Sequence, residues 1–136
     1  MIIPNLMVSD MARSLDFYRN KLGLELVTAI SARREVLQDT DGSNAIFAIL
    51  AGQGGQLMLQ LAPNFREELP QLAGAPSFTG TIYMRGLDPR PITPRVAAAE
   101  IVKPVALQWY GMLEGYFRDP DGYIVCAGVT AEPPVA

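Results

Sequence analysis

Apolar and polar positions follow one rhythm twice along this chain. Residues 2–8 (IIPNLMV) run apolar up to Ser9-Asp10, the pattern of a short strand entering a helix cap, with Pro4 marking an edge or bulge. From Asp10, a good N-cap, Met11, Leu15, Tyr18 and Leu22 recur at spacings of 4, 3 and 4. Arg13, Asp16, Arg19 and Asn20 fall on the other side and Gly23 follows as a C-cap, so a helix is predicted over residues 11–22. Residues 24–30 read as a strand. After a polar stretch ending in Asp41-Gly42, residues 44–50 and 56–61 read as two more, split by the turn Gly52-Gln53-Gly54-Gly55. The first half is therefore β-α-β-β-β.

A polar stretch bearing proline and glycine, residues 62–77, leads to an apolar strand over 78–86. Pro89 and Pro91 interrupt the chain beyond that strand. Thr93-Pro94 then offers an N-cap with proline at the first helical position, and a short helix is expected over 95–100. Residues 101–109, 112–118 and 123–129 complete three strands, the last two joined by Asp119-Pro120-Asp121-Gly122, a tight-turn sequence. The second half repeats β-α-β-β-β in element order although little residue identity links the halves. Neither half could bury its sheet alone. The expectation is an α+β single domain over 1–136: module 1 about 1–63, link 64–77, module 2 about 78–129, and a loose tail over 130–136.

Composition narrows the chemistry. At 136 residues the chain buries roughly two thirds of its unfolded surface, enough for a core without disulfide or metal support. There is no histidine, which removes the commonest general base, the commonest metal ligand and the histidine-activated nucleophiles together. Eleven basic against 14 acidic residues give a net charge of −3, mixed along the chain, the wrong sign for a general nucleic-acid binder. The longest apolar run, residues 45–51, is too short for a membrane span, and no basic region leads into an apolar signal segment. Cys126 is the single cysteine, so no internal disulfide forms, and a cytoplasmic protein is expected.

Three stretches carry a resemblance. Residues 5–18 (NLMVSDMARSLDFY), residues 21–26 (KLGLEL) and residues 116–123 (YFRDPDGY) resemble the vicinal oxygen chelate superfamily, which includes glyoxalase I, bleomycin-resistance proteins and extradiol dioxygenases. The resemblance spans roughly residues 2–129. It implies two βαβββ modules forming curled mixed sheets around a cupped pocket, commonly completed in a homodimer. In the metal-dependent members, His and Glu ligands come from the first and last strand of each module. Carried onto this chain, those positions fall on Asn5, Gln60, Thr81 and Cys126. Asn, Gln and Thr are weak neutral donors, so the expectation is no metal and no cofactor.

With the metal centre gone, these four residues become candidate polar contacts to a ligand, the alternative being a closed core in which they satisfy one another. Phe47, Tyr83, Trp109, Tyr110 and Tyr116 are candidate aromatic walls, although strand aromatics are as readily core. Glu114 alternates with Met112 and Tyr116 on one strand face; it is either a carboxylate for a cationic ligand or a catalytic base, or an outward, solvated side chain. Arg85 shares the parity of Thr81 and Tyr83 and is a possible anion contact at the pocket mouth. Arg33-Arg34 and Glu67-Glu68 read as solvated loop charges, and Cys126 as a buried structural thiol. The leading expectation is a metal-free, homodimeric binder of an apolar or aromatic, cationic drug-like small molecule, similar to the antibiotic-resistance branch. The alternatives are a lyase, isomerase or dioxygenase-like enzyme with Glu114 or a tyrosine as its catalytic group, and a structural dimerisation module with a filled core.

Overall fold

The structure is a computed structural model describing residues 1–131; the last five positions of the expected tail lie outside the described residues. The chain divides into two compact units, the first Met1–Phe78 and the second starting at Thr79.

In the first unit the strands are β1 (Asn5–Val8), β2 (Glu25–Ser31), β3 (Ala45–Gly52) and β4 (Gly55–Leu61), ordered β1-β4-β3-β2. β1 lies parallel to β4 and the other pairs are antiparallel. The β3–β4 loop shortens to Gln53-Gly54, both at positive φ (53° and 76°), the twist a two-residue hairpin demands. Period-two alternation divides the sheet. One face carries Leu6, Val8, Ala29, Ala48, Leu50, Leu57 and Leu59, all buried. The other carries Asn5, Met7, Phe47, Ile49, Met58 and Gln60, of which only Met7 and Gln60 are fully buried.

The helix of this unit starts as expected. Asp10 Oδ1 accepts the Arg13 N–H at 3.2 Å, capping α1 (Met11–Leu15), and Gly23 ends the segment at φ 83°. Its winding differs from the expected 3.6-residue period: Asp16–Lys21 is a π-helix, with the Leu22 N–H bonded to the Phe17 carbonyl at 3.0 Å. One register change buries adjacent Phe17 and Tyr18 together, their rings edge to face at 5.1 Å, where an unbroken α-helix would turn one away.

Residues 62–77, expected as a link, include a helix. α2 (Ala62–Glu68) starts directly after β4 with Pro63 in its first turn, where the missing N–H costs nothing. Ala62 and Phe65 bury against Met7, so tertiary packing fixes a helix too short to form alone.

The second unit repeats the topology: β5 (Thr81–Arg85), β6 (Ile101–Leu107), β7 (Met112–Arg118) and β8 (Ile124–Thr130), ordered β5-β8-β7-β6 with β5 parallel to β8. Each strand lies within a few residues of expectation. Where a second helix was expected, two 3₁₀ turns stand instead, Thr93–Arg95 and Ala98–Glu100. Val96 and Ala97 are extended between them (ψ 154° and 158°). Six residues behind three prolines cannot nucleate a helix, and buried Pro89 and Ile92 pin the segment instead. In the DPDG turn, Gly122 sits at φ 91° and Asp119 Oδ1 accepts the N–H groups of Asp121 and Tyr123, each at 2.9 Å. At the tail, Thr130 ends β8 rather than beginning a loose end, and the Ala131 N–H donates to the Gly111 carbonyl at 2.9 Å. Among the described residues no helix is long and apolar enough to cross a membrane.

Candidate functional site

The register of the second sheet places Tyr83 opposite Cys126, Cys126 opposite Tyr116, and Gly128 opposite Glu114. These residues therefore share one face, while Met84, Val125, Ala127 and Phe117 occupy the other as buried core. At the centre of the shared face is Glu114, only 2% exposed. Its Oε2 accepts the Tyr83 hydroxyl proton at 2.6 Å, and its Oε1 accepts that of Tyr110. The outward, solvated alternative for Glu114 is thereby overturned. A buried carboxylate is costly unless its lone pairs are engaged, and two phenols engage both oxygens here.

Gly128 makes this possible. A Cβ at that position would stand 2.6 Å from the Tyr83 hydroxyl, 3.1 Å from Cζ and 3.2 Å from Glu114 Cγ. Sequence reasoning missed Gly128, yet a glycine inside an apolar strand is itself a sign of close approach.

The electrostatics stem from the carboxylate. Its hydrogen bond, with burial and its charge adding, raises the Tyr83 phenol well above the ordinary tyrosine value and pushes Tyr110 up to about 12. Beside them Tyr116 shares a hydrogen bond with Cys126, which raises the phenol, and the Lys103 ammonium lies 5.3 Å from the centroid of the Tyr116 ring. Burial pushes the Cys126 thiol up, only partly offset by Tyr116. Burial thus disfavours the thiolate, the form that attacks electrophiles and binds metals.

Trp109 and Tyr110 lie in the β6–β7 turn before Gly111 (φ 87°), where exposure was expected. Trp109 is 94% exposed and reaches the cluster only through its edge-to-face contact with Tyr110, 5.3 Å between centroids. Thr81, two residues before Tyr83 on the same face, and Arg85, two after it, are both exposed.

In the first unit, Asn5 Nδ2 donates to Gln60 Oε1 at 3.0 Å, and Phe47 stands opposite Gln60 on β3. Gln60 Nε2 in turn donates to Asn64 Oδ1 at 2.6 Å and to Glu68 Oε2 at 2.8 Å. Glu68, expected as a loop charge, is therefore a helical side chain reaching back to the sheet. Asn64 and Glu68 escaped sequence reasoning because α2 itself was not expected. Asn5 Oδ1 is buried without a protein partner.

These donors do not suit the superfamily's metal. Asn5, Gln60 and Thr81 are neutral, the Gln60 amide nitrogen is turned to Asn64 and Glu68, and the Cys126 proton is held more tightly than usual. Among the described residues no three His, Cys, Asp or Glu side chains gather as a metal-binding group.

Two four-stranded mixed sheets of corresponding strand order, each with a parallel outer pair, define a protein of two repeated modules with few helices. The chain belongs to the Glyoxalase/Bleomycin resistance protein/Dioxygenase superfamily, whose family model matches residues 3–127. Solved structures agree on the fold. A glyoxalase-related enzyme from Fulvimarina pelagi is 19% identical, with TM-score 0.71 over 96% of this chain and 87% of that one. A glyoxalase/bleomycin resistance protein/dioxygenase from Nocardioides is 23% identical, with TM-score 0.63 over 100% and 88%. A protein of unknown function from Agrobacterium tumefaciens is 22% identical, with TM-score 0.69 over 96% and 93%. No curated protein matches the sequence.

Proposed function

We propose that this protein binds a small apolar or aromatic molecule of cationic character, without the superfamily's metal, as a cytoplasmic homodimer in the manner of the bleomycin-resistance branch. The observation that carries the reading is Glu114: a carboxylate 2% exposed whose two phenol partners, Tyr83 and Tyr110, are themselves 44% and 49% exposed. A purely structural network would bury the whole set. Here the charge is inside and its aromatic partners face outward, an arrangement that favours a cation stacked on electron-rich rings. Separately, in the first unit, Asn5 Oδ1 is a buried acceptor without a protein donor.

The test combines metal analysis with thermal-shift screening of protein purified without chelator. Substoichiometric transition metal, with stabilisation by aromatic cations, is the expected result. A ligand at 100 times its dissociation constant adds about 2.7 kcal/mol of stability. A tightly held stoichiometric metal overturns the proposal in favour of a metal-dependent enzyme. No stabilisation by any aromatic compound overturns it in favour of a structural module.

A further inference from the structure

We infer that the Tyr83–Glu114–Tyr110 cluster recognises a forked N–H cation, an amidinium or guanidinium group, through its two phenol oxygens rather than through the carboxylate itself. This deepens the binding reading above and rests on it.

Each phenol carries one proton, and here both protons point at Glu114. Toward solvent the two hydroxyls are left with lone pairs alone. They present acceptors and no donor, polarised by the negative charge behind them. Tyr83 and Tyr110 come from different elements, β5 and the turn before β7, and converge because one carboxylate holds both. Direct contact with Glu114 is closed off: each oxygen already has a phenol in front of it, and the residue is 2% exposed. A ligand meeting this face gains by bringing N–H groups in pairs and loses by bringing oxygen acceptors. A planar amidinium or guanidinium supplies two parallel N–H bonds with its charge spread between them. A quaternary ammonium has no N–H to give, so the site also separates cations from one another.

The surroundings fit a planar cation. The neighbouring Tyr116 ring already takes the Lys103 ammonium at 5.3 Å, so this face accommodates positive charge over a phenol ring. Trp109, packed on the edge of Tyr110, leaves an indole 94% exposed for a flat group to stack on. Gly128 keeps open the space in which the Tyr83 hydroxyl reaches the carboxylate.

Benzamidine, benzamide, benzoate and benzyltrimethylammonium share one ring and differ only in the headgroup. Their affinities are measured by calorimetry and by the fluorescence of Trp109, the only tryptophan in the chain. Benzamidine is expected to bind about tenfold or more tighter than benzamide and benzyltrimethylammonium, with benzoate weakest. Tyr83→Phe and Tyr110→Phe each weaken benzamidine, because each removes one acceptor. Were the cation read directly by Glu114, the same substitutions would unmask a carboxylate oxygen and tighten it. Glu114→Gln, whose amide donates to one phenol and turns that phenol's proton outward, is expected to bring the benzamidine-to-benzamide ratio close to one. Circular dichroism confirms that each variant is folded, and the single Tyr→Phe changes carry the test should Glu114→Gln fail it. Equal binding of benzamidine and benzamide to the wild type, or unchanged or tighter benzamidine binding in both Tyr→Phe variants, overturns the inference while leaving an aromatic-binding protein standing. If none of the four compounds and no other aromatic binds, the binding function itself falls.

Discussion

Replacing Gly128 with alanine adds one methyl group on β8, between β5 and β7, at the point where Tyr83 and Glu114 come together. The new Cβ would lie 2.6 Å from the Tyr83 hydroxyl, nearer than carbon and oxygen atoms approach without a bond, and 3.1 Å from Cζ. Backbone strain plays no part, because Gly128 does not adopt a positive φ. In an open strand the change would gain about 0.5–1 kcal/mol by restricting the unfolded chain. At Gly128 either the ring is held in place, at an overpacking cost of about 1–3 kcal/mol, or it swings out. Swinging out breaks a charge-assisted hydrogen bond of about 1.5–3 kcal/mol, discounted toward the lower end because the Tyr83 ring is half exposed and water can replace it. The net expectation is destabilisation of about 1–2 kcal/mol, or roughly 4–7 °C in melting temperature for a chain of this size. Far-UV circular dichroism is the suitable probe, since Trp109 is already exposed in the folded state. The decisive comparison is with Tyr83→Ala: in that background Gly128→Ala should become neutral or stabilising, a coupling of about 1.5–2.5 kcal/mol in a double-mutant cycle. Additive effects, or no destabilisation by Gly128→Ala alone, would refute the claim that this glycine exists to admit the phenol.

Three further outcomes are expected. The Tyr83 and Tyr110 phenols are raised by their hydrogen bonds to Glu114, and Tyr123 is pushed up to about 12 by burial. A group whose pKa is higher folded than unfolded stabilises fully below its unfolded value, about 10, and stops doing so as pH passes the folded value. Stability should therefore decline between pH ~10 and the folded value of about 12 for Tyr110, alongside late tyrosinate absorbance, and Glu114→Gln should flatten the part due to Tyr83 and Tyr110 while leaving that of Tyr123. A decline of the same slope in the variant contradicts the assignment. Cys126, fully buried with its thiol raised by burial, should react with Ellman's reagent only after urea unfolds the chain; rapid stoichiometric labelling of the native protein would contradict it. Asp119→Ala strips two backbone N–H groups of their acceptor in the DPDG turn and should cost about 1–3 kcal/mol in urea unfolding, with Asp119→Asn recovering part of it.

Much of the fold was legible because it rests on local rules. Apolar runs bounded by turn residues located the eight strands, Asp10 and Gly23 bounded the helix, and the two glycine-bearing turns fell where left-handed backbone was needed. The misses share a cause. α2 carries no strong amphipathic signal and exists because Ala62 and Phe65 bury against Met7 on a strand more than fifty residues earlier. The expected second helix failed because its approach is pinned by burial of Pro89, close to Gly115 of β7, and of Ile92, a constraint absent from its own sequence. The π-helical turn met the apolar spacing of an α-helix so well that only its backbone hydrogen bonding, Leu22 N–H to the Phe17 carbonyl, reveals it.

For the site, the sequence by itself determined the inventory: no histidine, neutral residues at the positions that resemble metal ligands, and one glutamate among aromatics on a single strand. It left open whether that glutamate faced water or protein, since period-two alternation names two faces without saying which is covered. The pairing of β5 with β8 and of β8 with β7 decided it, bringing Tyr83 across 31 residues to Glu114 and setting Gly128 where a side chain would have kept them apart. A residue's type and period are local properties, whereas the sign and reach of a buried charge depend on neighbours that only strand register supplies.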